Sequence, residues 1–205
     1  MFFRLERFYL YLKKKYPDYD PQWRLWLKKK KDDREREEIM IGAILTQRVN
    51  WKNVERALEN LKKEGIDCLK KIFNLKTRKL EKLISPAGFY KTKARYLFNF
   101  SKFFVKNYLS IKDLKKEPLY SLRDKFLKIK GIGPETADSI LLYALDKPIF
   151  VVDEYTRRFV LKYRLFPSLK YSHLQEFFQK NLKKDFRLYQ EFHALIVIAG
   201  KQKEF

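Results

Sequence analysis

Leu127-Lys128-Ile129-Lys130-Gly131-Ile132-Gly133-Pro134-Glu135-Thr136-Ala137-Asp138 is the stretch on which the reading of the chain turns. An apolar helical stripe ends at Ile129 and another begins at Pro134. Proline suits a first helical position, because its missing N–H would have no partner there. Between the stripes stand two glycines around one apolar residue. Glycine tolerates positive φ and lets the backbone come close to a ligand. Ile132 is expected to turn inward as the anchor of the hairpin. The helix that follows offers unpaired amides and a positive dipole end, and Lys128 and Lys130 flank the turn. Together these features describe a backbone clamp for a phosphate, one that reads no base sequence. The same residues also suit an ordinary glycine-rich turn between two helices.

Helical periodicity continues on both sides. Val54, Ala57, Leu58 and Leu61 share one face; so do Ala137, Ile140, Leu141, Ala144 and Leu145, and again Leu188, Phe192, Leu195, Ile196 and Ala199. Asn50, Pro134 and Asp185 stand where starts are expected. Weaker stripes predict helices near 3–14, 34–46, 66–73, 77–84, 91–107, 119–129, 154–164 and 172–182. The acid-rich run Asp32 to Glu38 suits a helix N-terminus. Asn-Gly and Asp-Gly hairpin turns are absent. The one strand-like run, Pro148 to Val152, has no second strand to pair with. The fold class is therefore all-α.

Composition narrows the partner. The chain has 205 residues, 47 Lys and Arg against 25 Asp and Glu, and a net charge of +22. Aromatics make up 17% of it, too many for a disordered basic tail. A single cysteine excludes a disulfide scaffold. No apolar run reaches the roughly 18 residues of a membrane span. The opening Met1 to Arg7 carries charge too early for a signal peptide. The expectation is an intracellular, reducing, cytoplasmic location near the nucleoid, and a polyanionic partner. The lysine runs 13–15 and 28–31 are individually solvated surface, and collectively they add to that field.

The hairpin resembles the helix-hairpin-helix of the base-excision DNA glycosylases, the superfamily that contains endonuclease III. Three further pieces resemble that family in order: Gly42-Ala43-Ile44-Leu45-Thr46-Gln47, Pro86-Ala87-Gly88-Phe89-Tyr90-Lys91-Thr92-Lys93-Ala94 and Phe192-His193-Ala194-Leu195-Ile196-Val197. The resemblance implies a two-lobed all-α fold with DNA in the cleft. One lobe would span residues 38–146 and carry the hairpin at 127–138; the other would combine 1–37 with 147–205. It implies double-stranded DNA carrying a damaged base as partner, a monomer, and no membrane. The family's essential aspartate lies about twenty residues beyond the hairpin, and Asp153 lies 20 positions after Gly133.

Asp153 follows a buried-looking run and suits a helix N-cap. That role is compatible with catalysis. Breaking an N-glycosidic bond builds positive charge on the sugar, which a fixed carboxylate stabilises while orienting water. Lyase members of the family carry a lysine nucleophile in the first turn after the hairpin. Glu135 stands there and cannot form a Schiff base; it is either a pocket residue or a dipole-favoured first-turn acid. The resemblance therefore points to a monofunctional enzyme, with a bifunctional endonuclease III-type enzyme on oxidised bases and a non-catalytic DNA-binding module as rivals. The four cysteines of a [4Fe–4S] cluster are missing, since Cys68 is the only cysteine, so no cluster and no other cofactor is expected.

The closest resemblance is to the type III 3-methyladenine DNA glycosylases. By it, Gln47 inserts into DNA, Trp51 stacks on the flipped base, and Trp23 and Trp26 correspond to a tryptophan pair near the N-terminus. Core packing is the other reading of all three indoles. Arg48 departs from the family pattern and suits a phosphate, the orphan base or plain solvent. Lys128, Lys130, Gly131, Ile132, Gly133 and Thr136 complete the DNA contacts. By resemblance alone, the carbonyls of Leu127, Ile129 and Ile132 hold a monovalent cation; no other metal is expected. His173 and His193 are assigned packing or surface roles.

Overall fold

The computed structural model describes residues 2–205, with side chains from Arg4 onward, so Met1 and the side chains of Phe2 and Phe3 in the opening stretch lie outside the described residues. Among the described residues there is no strand, and no helix is long and apolar enough to cross a membrane. The chain forms two compact units: Lys30–Ile140, and Met1–Lys29 together with Leu141–Phe205. The resemblance puts these edges at 37/38 and 146/147.

The continuous unit contains α3 (Asp33–Leu45), α4 (Trp51–Lys63), α5 (Leu69–Phe73), α6 (Thr77–Leu83), a 3₁₀ turn (Ser85–Ala87), α7 (Tyr90–Asn107), α8 (Ile111–Lys116), α9 (Leu119–Leu127) and α10 (Pro134–Ser139). Its centre is α3. Ile39, Met40, Ile41, Ala43, Ile44 and Leu45 are each at most 2% exposed, so the second half of this helix is apolar all round and enclosed by its neighbours. A capping box starts it: Glu35 N–H donates to Asp32 Oδ1 at 2.9 Å and Asp32 N–H donates to Glu35 Oε2 at 3.0 Å. The α4 stripe Val54, Ala57, Leu58 and Leu61 is buried, and Asn50 caps it as expected. Cys68 is buried and makes no capping bond for α5. Glu37 supplies one instead, accepting from Leu69 N–H at 2.5 Å, and burial raises its pKa.

The discontinuous unit contains α1 (Phe2–Lys15), α2 (Pro21–Trp26), α11 (Glu154–Lys162), α12 (Tyr171–Asn181) and α13 (Phe186–Lys201). Helix α1 is tied to the last helical region by two carboxylates. Glu191 accepts from the hydroxyls of Tyr9 and Tyr19 and from Lys13. Glu204 accepts from Tyr11 and Tyr16 and pairs with Lys15.

Two local outcomes differ from periodicity. The stripe 137–145 predicts one α-helix, but α10 stops at Ser139 and a π turn spans Ile140–Ala144. A π turn inserts an extra residue into the helical ladder while keeping the same apolar residues buried, so the stripe does not reveal it. Helices α2 and α8 and the 3₁₀ turn are too short to write a stripe and go unpredicted.

The run 148–152 is extended without a neighbouring strand. Helix α12 takes the strand's place: Phe150 N–H donates to Gln179 Oε1 at 3.0 Å, and Gln175 Nε2 donates to Phe150 O at 2.7 Å. Ile149, Phe150, Val151 and Val152 are at most 1% exposed. Their backbone polar groups need partners at that depth, and two glutamines one helical turn apart supply them for Phe150. This pinned segment delivers Asp153 to the start of α11.

Candidate functional site

Two groups of sequence-selected residues form, one in each unit. The first surrounds the hairpin. Helices α9 and α10 are stapled by a bidentate ion pair, with Arg123 Nε at 2.7 Å from Asp138 Oδ1 and Arg123 Nη2 at 3.0 Å from Oδ2. Asp138 is fully buried, so this pairing is what makes its charge tolerable. Between the helices, Ile132 N–H donates to Ile129 O at 3.0 Å and Ile132 is 4% exposed, the inward anchor that the sequence suggests. Gly131 has φ of +102°, and a Cβ there would lie 2.0 Å from the Tyr96 ring. Gly133 is different. It is exposed, its backbone is ordinary extended, and a Cβ would meet nothing within 4 Å. Lys128, Lys130 and Glu135 are exposed and Thr136 is buried.

Gln47 joins this group. Its Nε2 donates to Gly131 O at 3.1 Å and to Thr136 Oγ1 at 3.0 Å. Arg48 beside it is exposed with φ of +54°. Trp51 is half-buried at the start of α4. Sequence reasoning missed the residue that organises this region, Lys93. It is 2% exposed, and its Nζ donates to Leu45 O at 2.7 Å and to Ala87 O at 2.6 Å. Burial lowers its pKa to about 8. It thus ties the end of α3, two residues before Gln47, to the turn two residues before Phe89. Phe89 is 70% exposed with φ of +46°. The available signal was a lysine in register with Leu97, Phe100 and Phe104 on the apolar face of α7.

The second group surrounds Asp153, the N-cap of α11. Its Oδ1 accepts from Thr156 N–H at 2.7 Å and from Thr156 Oγ1 at 2.9 Å. Its Oδ2 lies 3.6 Å from His193 Nε2, an ion-pair distance just beyond hydrogen-bond reach, and its side chain is 15% exposed. Burial pushes the carboxyl up. The His193 charge and the Thr156 bonds outweigh that, leaving it below the usual aspartate value and ionised at neutral pH. His193 is 5% exposed. Its Nδ1 lies 2.7 Å from the oxygen of the Tyr143 hydroxyl, and that hydroxyl donates to Gln190 O at 3.1 Å.

Trp23 and Trp26 are 2% and 4% exposed and meet edge to face. Both rings pack on Tyr143, and Trp23 also meets His193. Among the described residues, no three His, Cys, Asp or Glu side chains gather as a metal site.

Comparison with known proteins identifies the family. The pattern of the HhH-GPD superfamily base excision DNA repair proteins matches residues 41–184. A curated protein of Methanocaldococcus jannaschii, described as a DNA repair glycosylase, is 50% identical over 165 residues, covering 79% of this chain and 75% of its own. The crystal structure of 3-methyladenine DNA glycosylase (MagIII) of H. pylori, bound to 1,N6-ethenoadenine, superposes with a TM-score of 0.79 at 33% identity, covering 98% of this chain and 96% of that one. An endonuclease III–DNA complex shares the fold, with a TM-score of 0.76 at 18% identity over 98% of this chain and 86% of its own. The chain belongs to the HhH-GPD superfamily of base excision DNA repair proteins.

Proposed function

We propose that this protein is a monofunctional DNA glycosylase that hydrolyses the N-glycosidic bond of 3-methyladenine, or a related alkylpurine, flipped out of duplex DNA. The observation that carries the reading is Asp153, an ionised and largely buried carboxylate with one oxygen bonded to Thr156 and the other facing His193 at 3.6 Å. As the glycosidic bond lengthens, positive charge grows on the sugar; a fixed carboxylate stabilises it and orients the attacking water. A 3-alkylated adenine is cationic and leaves with little acid assistance, so a carboxylate alone suffices. The similarity to MagIII supports this substrate class.

The remaining roles follow the same reading. The backbone amides of Gly131 and Gly133, with Lys128 and Lys130, hold one phosphate. Gln47 fills the space of the extruded nucleotide, exchanging its two bonds to the hairpin for bonds to DNA. Arg48 contacts the backbone or the orphan base. Trp51 offers an indole to the cationic ring, while Trp23 and Trp26 back the surroundings of Asp153. The Ile129 carbonyl accepts one bond and keeps a lone pair, which suits the cation that Leu127, Ile129 and Ile132 are proposed to hold. Glu135 in the lyase-lysine position supports simple hydrolysis, and one cysteine cannot supply four thiolates to a cluster.

The test is base release from DNA treated with a methylating agent, with the liberated bases identified. Release of 3-methyladenine is expected, falling at least about 100-fold in Asp153→Asn, with no covalent adduct on borohydride treatment. Release of thymine glycol without any methylpurine overturns the substrate; a trapped adduct overturns the monofunctional reading.

A further inference from the structure

Behind Asp153 lies a buried polar chain that hydrolysis by a lone carboxylate does not require. His193 lies within an otherwise apolar stretch of α13, Phe192 to Ala199, where an imidazole forfeits hydration unless both nitrogens are employed. Its Nδ1 is 2.7 Å from the Tyr143 hydroxyl, and its Nε2 points at Asp153 Oδ2 at 3.6 Å. Besides Asp153 and Tyr143, the rings of Trp23 and Phe150 face the imidazole. Tyr143 comes from the π turn, and its hydroxyl reaches Gln190 O at 3.1 Å. Gln190 is anchored in turn, its Nε2 donating to Leu142 O at 2.7 Å.

The proton arrangement follows from these contacts. Burial, and next the Asp153 charge, push the Tyr143 hydroxyl well above its usual range, so it remains a neutral O–H. A carboxylate 3.6 Å away opposes a bare lone pair on Nε2 and favours an N–H there. The other ring nitrogen is then fixed by Tyr143, as the partner of one imidazole nitrogen sets the state of the other.

We propose that His193 is a positioning residue for Asp153: with a proton on Nε2 it holds Oδ2 and keeps the carboxylate ionised and aimed, while Tyr143 locks the ring from behind. Thr156 fixes the other oxygen, so the carboxylate has no free rotation. The inference rests on Asp153 acting in base release, and it adds what sets that residue's state.

The experiment pairs two readouts on His193→Gln, His193→Ala and Tyr143→Phe. Glutamine keeps a neutral donor near the Nε2 position and removes the imidazole's electrostatic effect on Asp153; alanine removes both. The first readout is the carboxyl titration of Asp153 followed by ¹³C NMR, which needs no activity. The second is the pH profile of base release. In His193→Gln the Asp153 titration and the acidic limb are expected to move up together by about one pH unit. The kcat at neutral pH falls roughly 10- to 100-fold, with KM little changed. His193→Ala behaves as His193→Gln or worse, and Tyr143→Phe moves both readouts the same way by less. Folded histidine variants with an unmoved limb and an unmoved Asp153 titration overturn the proposal, whatever they do to melting temperature. If neither histidine variant folds, Tyr143→Phe decides: an unshifted Asp153 titration there also overturns it. Wild-type protein that releases no base fails the glycosylase reading, while the titration still decides the contact with His193.

Discussion

Gly131 and Gly133 look alike in the sequence and are not alike in the structure. Gly131 combines a positive φ with a ring where its Cβ would stand, so Gly131→Ala combines backbone strain with overpacking. That substitution should lower stability by about 2–4 kcal/mol in chemical denaturation. Gly133 carries no such demand. Gly133→Ala should leave stability within about 0.5 kcal/mol and, if the hairpin holds a phosphate as proposed, weaken DNA binding measurably, because a methyl group then stands in the phosphate's way. A binding isotherm beside a denaturation curve separates the two. The twin glycines and the flanking lysines made the hairpin legible in the sequence, since a turn motif is local. Asp153 was legible as an N-cap at a known distance from that motif. His193 and Tyr143 were not, because they meet across 50 residues of chain and neither has a local signature.

At the scale of elements, most helices were written in their stripes and caps, with ends within three residues of the structure. What escaped was held by contacts between elements. The extended run 148–152 depends on two glutamines of α12, and the end of α3 depends on a lysine of α7. Lys93 yields a pH prediction. Its pKa in the folded protein, about 8, lies below the unfolded value near 10.4. Between those values the unfolded chain holds the proton and the folded chain does not, so stability rises with pH across that window. Relative to Lys93→Met, the wild type should gain about 2–4 kcal/mol from pH 8 to 10.5. Urea denaturation of both proteins at several pH values reads the difference directly. A flat difference would mean that the ammonium is not desolvated.

For the whole molecule, the net charge of +22 sets how it meets DNA. Most of that charge is spread over the surface rather than built into the hairpin or the carboxylate site. Binding should therefore be dominated by counterion release, with log affinity falling linearly against log salt. Between 50 and 200 mM salt the loss should reach about 1000-fold, measured by fluorescence anisotropy on undamaged duplex. The catalytic step carries no comparable salt term, so single-turnover base release at saturating protein should be nearly salt-independent.

The division of the chain into a continuous middle unit and a unit assembled from both ends has a temporal side. During synthesis the N-terminal segment emerges first, yet its packing partners from Leu141 onward are made last. Residues 30–140, a compact unit, are complete in the interval. Throughout that wait Trp23 and Trp26, almost wholly covered in the finished protein, have no Tyr143 or His193 to cover them. The nascent chain therefore carries two uncovered indoles while the middle unit is being made. It acquires Asp153 only after the hairpin helices have been made.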